Sequence, residues 1–334
     1  MATLTSTEWA LARRPVGLPQ HSDFQKKTVD VPDPGPGQIQ VQNSWMSVDP
    51  YMRGRMYDRE SYVPPFGIGE TMTGGAVGRV TASQHPDYKP GDLVQSMNGW
   101  RTAWTSDPGS AMSMKLPETG LPESAFLGVA GMPGLTAYAG ILRIAELKEG
   151  DTVFVSGAAG AVGSTVVQIA KIKGCRAVGI AGGPDKCRHI VEDLGFDAAV
   201  DYKAPDWREQ LKAATPNGID VNFENVGGEI MEAVVARMNL YSRMPLCGMI
   251  STYNDAQRPR YDLSPFLMKR IRLQGFIILD FKDRYIEGSM QLAQWLMEGK
   301  LKARETVVEG LDKAPEALNM LFDGSNIGKL IVKI

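Results

Sequence analysis

An α/β fold in two parts is predicted, a β-rich portion followed by a doubly wound parallel sheet, and three observations carry it. A strand–glycine–helix unit stands at mid-chain, from Asp151 to Lys173. Short β-branched runs then alternate with amphipathic stretches as far as Leu279, the pattern of strands buried on both faces and covered by helices. Before Pro117, in contrast, period-two alternation is repeatedly broken by Pro and Gly, which reads as a small, irregular, mainly antiparallel β structure.

The 334 residues suffice for two domains, each with its own core. With 22% charged residues and a net charge of −2, the chain carries no electrostatic footprint for nucleic acid or an anionic membrane. A small molecule or a bound cofactor is the more natural partner. Cys175, Cys187 and Cys247 lie far apart and form no CxxC pair, so neither a disulfide framework nor a zinc finger is indicated. The first residues lack a basic stretch leading into an apolar one, and no run of about 18 apolar residues occurs. A soluble, cytoplasmic protein is expected.

Taken in order, Val31 to Gly37 (Val-Pro-Asp-Pro-Gly-Pro-Gly) forms an extended entry that excludes regular structure. Ile39 to Gln42 and parts of Ala76 to Thr81 alternate as strands, and Lys89-Pro90-Gly91-Asp92 turns into a strand at Leu93 to Gln95. Met132 to Leu142 opens with turn residues and continues as an apolar helix that ends near Gly150. Strands follow at Thr152 to Val155, Arg176 to Ala181, Ala198 to Asp201, Ile219 to Glu224, Met244 to Cys247 and Arg272 to Leu279. Helices are expected at Lys186 to Leu194, Trp207 to Ala214, Ile230 to Met238, Ser264 to Lys269 and Ile286 to Met297. The last elements, Thr306 to Val308, Ala314 to Phe322 and Lys329 to Val332, are not needed by the parallel sheet, and the simplest arrangement returns them to the first domain. The expected division is 1–125, 126–295 and 296–334, with the middle stretch inserted. If Arg272 to Leu279 lies at a sheet edge, its open backbone groups suit pairing with a second subunit, so a homodimer is expected.

Gly157, Gly160 and Gly163 sit in the turn between a buried strand and a helix whose Val162, Val166, Ile169 and Ala170 share one apolar face. Such a turn lets backbone approach a pyrophosphate and presents the N–H groups of a helix start, so it reads as a dinucleotide site. Its spacing is G-x-x-G-x-x-G, not G-x-G-x-x-G. The following strand ends Gly179-Ile180-Ala181-Gly182-Gly183 without the carboxylate that would accept from the ribose hydroxyls of NAD and repel a 2′-phosphate. Lys186 stands just beyond, with Arg188 as the alternative phosphate contact, Asp185 as a helix cap and Tyr202 at the same adenosine end. NADP(H) is therefore expected in preference to NAD(H).

Several stretches, in order along the chain, resemble the zinc-independent prostaglandin reductase and NADP-dependent alkenal double-bond reductase branch of the medium-chain dehydrogenase/reductase superfamily. They are Ser47-Val48-Asp49-Pro50-Tyr51-Met52-Arg53, Gly131 to Tyr138, Gly157 to Ser164, Leu194-Gly195-Phe196-Asp197, Glu224-Asn225-Val226-Gly227-Gly228, Cys247 to Asn254, and Asn326-Ile327-Gly328-Lys329. The resemblance covers nearly the whole chain. It implies a GroES-like substrate domain built from both chain ends around an inserted Rossmann domain. Where zinc-dependent relatives carry Gly-His-Glu, this chain reads Gly67-Ile68-Gly69-Glu70, and His21, His85 and His189 share no ligand spacing, so no metal is expected.

By motif, the resemblance implies that Ala159, Gly160, Ala161 and Val162 line the pyrophosphate. It places Gly182, Lys186 and Tyr202 at the phosphorylated ribose and Asn225 on the nicotinamide side. Cys247, Ser251 and the backbone of Phe276 and Ile278 flank the nicotinamide, and Asn326 reaches in from the C-terminal stretch. The implied activity is hydride transfer to the β-carbon of an α,β-unsaturated aldehyde or ketone. Negative charge then gathers on the carbonyl oxygen, and a tyrosine hydroxyl suits as its donor because its ordinary pKa near 10 keeps the proton in place at neutral pH. Tyr253 and Tyr51, one from each domain, are the candidates. Cys247 follows an apolar strand and is expected to pack rather than attack. Trp45, Met46, Met52, Met56 and Tyr57 suit either an apolar wall for the substrate tail or a core. Quinone reduction and hydroxy-lipid oxidation by the same fold are the alternative activities, and a non-catalytic nucleotide-binding module is the alternative class.

Overall fold

A computed structural model of the chain describes residues 4–255 and 259–334; Met1, Ala2 and Thr3, where the N-terminal reading begins, lie outside the described residues. The chain divides into two compact units. The first comprises Met1–Leu127, Glu305–Ser325 and Leu330–Ile334, and the second Gly128–Arg304 with Asn326–Lys329. The second unit runs past 296 because Trp295 and Leu301 are buried in its core.

The first unit is β-rich. Leu4–Leu11 and Phe24–Val31 pair antiparallel, Leu11 opposite Phe24. This hairpin is absent from the sequence-based expectation because its inward face carries Ser6 and Glu8, both buried, which breaks the apolar alternation. The Glu8 carboxylate is matched there by the Thr71 hydroxyl and by Arg101. A seven-stranded sheet follows, in which Ile39–Ser47 is central and the chain's last strand, Lys329–Lys333, pairs antiparallel with it. Met46, Met52 and Met56 are fully buried among Trp9, Leu11, Phe24, Trp100, Leu318 and Leu330. They are core residues, not an exposed wall.

The second unit holds a parallel sheet of six strands: β1 Thr152–Ser156, β2 Arg176–Ala181, β3 Ala198–Asp201, β4 Ile219–Phe223, β5 Met238–Leu246 and β6 Arg272–Gly275. Their order is β3-β2-β1-β4-β5-β6, so the winding reverses between β1 and β4. That reversal opens a crevice at the carboxyl ends of the two strands, where ligands of open α/β sheets bind. Two buried apolar clusters lie in this unit, one including Val153, Val155, Val166, Ile169 and Phe223, the other Phe154, Val178, Ile180, Leu211 and Val234.

Three expectations need correcting. The apolar run from Arg272 is a strand only to Gly275; it forms the sheet edge and all four of its residues are exposed. Phe276 then turns into the core, and Ile278–Arg284 forms 3-10 turns, which ends the pairing. The helix expected from Lys186 begins at Pro184 and passes into a π turn at His189–Asp193. The helix Met132–Ala139 likewise passes into a π turn at Gly140–Ile144, ending before Gly150. Gly140 lies there against Phe223 and Phe276, with no room for a Cβ.

Candidate functional site

The glycine turn joins β1 to the helix Ala161–Ile172. Gly157 has φ +61°, in the left-handed region that favours glycine. A Cβ on Gly163 would stand 2.4 Å from the Gly157 carbonyl oxygen, so the first helical turn packs directly on the loop. Gly160 caps the helix with extended backbone and no side-chain hydrogen bond, and the first turn carries no acidic residue. Ala159, Ala161 and Val162 therefore surround a helix start whose side chains are small and whose N–H groups carry partial positive charge, and this donor set fits a pyrophosphate. Gly328 donates its N–H to the Ala159 carbonyl at 2.7 Å, and the Asn326 side chain donates to the Gly328 carbonyl at 3.1 Å. Asn326 and the glycine turn are thus brought together.

At the end of β2, Gly182 lies under Tyr202, whose main-chain N–H donates to the Ala181 carbonyl at 3.1 Å. Gly183 has φ +98° and donates its N–H to Asp201 at 2.7 Å. Asp201 also accepts from the Lys203 N–H at 2.9 Å, so this carboxylate, reaching across from β3, is occupied by backbone. Burial, with Asp201 adjacent, holds the Tyr202 phenol above its ordinary range. Lys186 is half-buried on the short helix Pro184–Arg188. Asp185 makes no cap; it pairs with Arg188 at 3.3 Å, both exposed.

The third group hangs on the end of β4. The Asn225 N–H donates to the Ser156 hydroxyl and its side-chain amide to the Ser156 carbonyl, both at 2.7 Å. The Asn225 carbonyl accepts from the Ile250 N–H at 3.1 Å, and the Val226 carbonyl accepts from the Ser251 N–H at 3.0 Å and the Ser251 hydroxyl at 2.6 Å. Burial, reinforced by Glu224, pushes the Cys247 thiol up to about 12, so it is neutral near pH 7 and packs as a small hydrophobe. Tyr253 accepts the Met249 N–H at 3.3 Å, a contact that does not use the phenolic proton. Burial raises its pKa while that hydrogen bond works the other way. Phe276 is buried edge-on to Phe223, and Ile278 accepts the Tyr285 hydroxyl at 3.1 Å through its carbonyl.

Ser156, Glu224 and Gly328 also build this site, although the sequence assigns none of them a role. A carboxylate directly after the apolar strand Ile219–Phe223 and directly before Asn-Val-Gly-Gly is the signal that marks Glu224. In the first unit, Tyr51 opens the helix Tyr51–Arg55. Its hydroxyl is buried without a hydrogen-bond partner among the described residues. Burial, with Asp49 beside it, holds the phenol well above its ordinary range.

Comparison with known proteins shows the family. Residues 7–114 match a family model described as the N-terminal domain of oxidoreductase, and residues 161–295 match one described as zinc-binding dehydrogenase. The NADPH-dependent curcumin reductase of Escherichia coli K12 is 46% identical over 333 residues, covering 98% of this chain and 96% of that protein. The NADP-dependent 2-alkenal reductase of Nicotiana tabacum is 42% identical, covering 95% and 94%. The crystal structure of CurA from Vibrio vulnificus in complex with NADPH matches with a TM-score of 0.93 at 45% identity, over 98% of each chain. The chain belongs to the medium-chain dehydrogenase/reductase superfamily, in its zinc-independent alkenal reductase branch. The zinc in one family description has no counterpart in the donor set: among the described residues no group of three or more His, Cys, Asp or Glu side chains could hold a metal ion. The three histidines are engaged elsewhere, His21 against Trp9, His85 against Tyr88 and His189 with Asp193. As a member of this branch the chain is an NADP-dependent oxidoreductase.

Proposed function

We propose that this chain reduces the carbon–carbon double bond of α,β-unsaturated aldehydes and ketones with NADPH. Bound NADPH supplies the hydride. The helix start at Gly160 to Val162 holds the pyrophosphate, Lys186 and Tyr202 beside Gly182 hold the phosphorylated ribose, and Asn225, Cys247, Ser251, the backbone of Phe276 and Ile278, and Asn326 orient the nicotinamide. These roles rest on the donor set of each segment and on the motif resemblance.

The observation that carries the chemistry is the Tyr51 hydroxyl. A buried phenol without a hydrogen-bond partner leaves a desolvated donor unsatisfied, a cost ordinarily avoided in folded proteins. A carbonyl oxygen gaining negative charge repays that cost, and the raised pKa keeps the proton on Tyr51 while it donates. Tyr253 is the second candidate and already accepts one hydrogen bond. The test is turnover of an enone by Tyr51→Phe and Tyr253→Phe. Loss of a sole oxyanion donor lowers kcat by roughly 10²–10³. We expect that loss for Tyr51→Phe with NADPH affinity unchanged, and about a tenfold loss for Tyr253→Phe; full activity in both variants removes tyrosine from the reading.

Two further parts of the proposal concern assembly and place. The exposed edge strand β6 is accompanied by exposed Leu240, Tyr241, Leu267, Met268 and Leu273, which suits pairing with a second copy. A homodimer is expected by light scattering, and a monomer at working concentration counts against it. Among the described residues no helix is long and apolar enough to cross a membrane, and a cytoplasmic location is the proposal, checked by fractionation.

A further inference from the structure

Glu224 is fully buried at the reversal point of the sheet. Burying a carboxylate is costly unless its oxygens are hydrogen-bonded, and here both are. One oxygen accepts from the Ser156 hydroxyl at 2.7 Å and from the Val226 and Gly227 N–H groups at 2.8 Å each. The other accepts from the Asn222 side-chain amide at 3.0 Å. The main-chain carbonyl of the same residue accepts from the Cys247 N–H at 2.9 Å and the Gly248 N–H at 3.1 Å.

The residues tied down in this way are those assigned to the cofactor. Ser156 precedes the glycine turn and holds both the N–H and the side chain of Asn225. Val226 holds Ser251. Gly157 lies against the same loop: a Cβ there would stand 3.5 Å from Val226 and 3.6 Å from Asn225. The Glu224 carboxylate thus joins the end of β1 to the turn after β4, and the main-chain carbonyl of the same residue holds the segment after β5.

We propose that Glu224 is a positioning residue, which fixes the distance between the glycine turn and the Asn225–Tyr253 segments through the hydroxyl of Ser156. This rests on the reading that those segments hold NADPH. Positioning acts through hydrogen-bond geometry, so a side chain of the same shape should replace it. Asn222 Oδ1 is buried without a hydrogen-bond partner among the described residues, and rotating that amide would offer an acceptor to the new N–H₂ of Glu224→Gln.

The test compares Glu224→Gln, Glu224→Ala and the milder Ser156→Ala by two readouts: NADPH titration, and amide hydrogen exchange of the apoprotein. Ser156→Ala and Glu224→Ala should bind NADPH about tenfold more weakly or worse, and the Asn225 amide in Ser156→Ala and the Val226 and Gly227 amides in Glu224→Ala should exchange faster. Glu224→Gln should stay within about threefold of wild type by titration. If Glu224→Ala fails to fold, Ser156→Ala and Glu224→Gln decide. Wild-type NADPH affinity in folded Ser156→Ala overturns the proposal, as does a Glu224→Gln variant that folds but binds as weakly as Ser156→Ala. If wild type itself does not bind NADPH, the proposed function fails with it, an outcome distinct from variants that match a wild type that binds.

Discussion

The ring of Tyr202 closes over Gly182: a Cβ added at Gly182 would stand 2.6 Å from both the Tyr202 Cζ and its hydroxyl oxygen. The contact falls on the outer end of a side chain rather than on backbone, so a methyl group there displaces the ring and leaves the sheet intact. Gly182→Ala should therefore keep its melting temperature within a few degrees and raise the Kd for NADPH by about tenfold, as read by fluorescence titration. An unchanged Kd would take Tyr202 out of the cofactor site.

Lys186 and Arg188 lie two residues apart on the same short helix but differ in their surroundings. Arg188 is exposed and paired with Asp185, whereas Lys186 is half-buried just beyond the end of β2. A charge-assisted hydrogen bond is worth roughly 1.5–3 kcal/mol, or about ten- to a hundredfold in binding. Lys186→Ala should lose that much NADPH affinity with NADH unaffected, and Arg188→Ala should lose less. Equal losses toward both nucleotides would contradict a role in reading the 2′-phosphate.

Gly163 is the least replaceable glycine of the turn. A Cβ there meets the Gly157 carbonyl oxygen at 2.4 Å and the Ala158 Cα at 3.0 Å, and both are backbone. Gly163→Ala should push the helix start off the loop, lower stability by roughly 1–3 kcal/mol in denaturant titration, and weaken NADPH binding. A variant with wild-type stability and affinity would show that the turn does not need its close packing.

The buried acids set an alkaline limit. Tyr51 and Tyr253 have pKa values raised above the ordinary tyrosine value by burial, and Cys247 is pushed up to about 12. In each case the folded chain keeps a proton that the unfolded chain releases, so the stabilising contribution is full below the unfolded value and is lost as pH rises above it. Unfolding free energy should begin to fall above about pH 8.5, where an unfolded thiol ionises, and fall more steeply above about pH 10. For the same reason kcat/KM on an enone should show no tyrosine limb below about pH 10. A limb near pH 8 that vanishes in Tyr51→Phe would mean that Tyr51 is not held protonated as described.

Much of the second unit is legible in the sequence because its cues are local. Arg176 to Ala181, Ala198 to Asp201 and Trp207 to Ala214 carry periodic or β-branched patterns that agree with their burial. The run from Arg272 misleads because hydrophobicity alone does not distinguish a buried strand from an exposed edge strand followed by a turn into the core at Phe276. The first hairpin is hidden because buried Glu8 and Ser6 are satisfied by Thr71, Arg101 and residues near Thr102, all distant in sequence. The role of Glu224, which the sequence places only at the end of a strand, is hidden for the same reason: the fold alone brings the Ser156 hydroxyl and two loop amides onto its carboxylate. The candidate site was legible where backbone conformation demands glycine, and not where long-range hydrogen bonds place a polar side chain.

Hydride is proposed to reach the β-carbon of an activated double bond, and isotope transfer follows that hydride to its destination. NADPH deuterated on the transferring face of its nicotinamide C4 is turned over with an acyclic enone, and the product is read by NMR and mass spectrometry. The product should be the saturated ketone with one deuterium at the β-carbon and none at the carbonyl carbon. Deuterium at the carbinol carbon of an allylic alcohol, or no transfer to the enone while a quinone is reduced, would contradict the proposal.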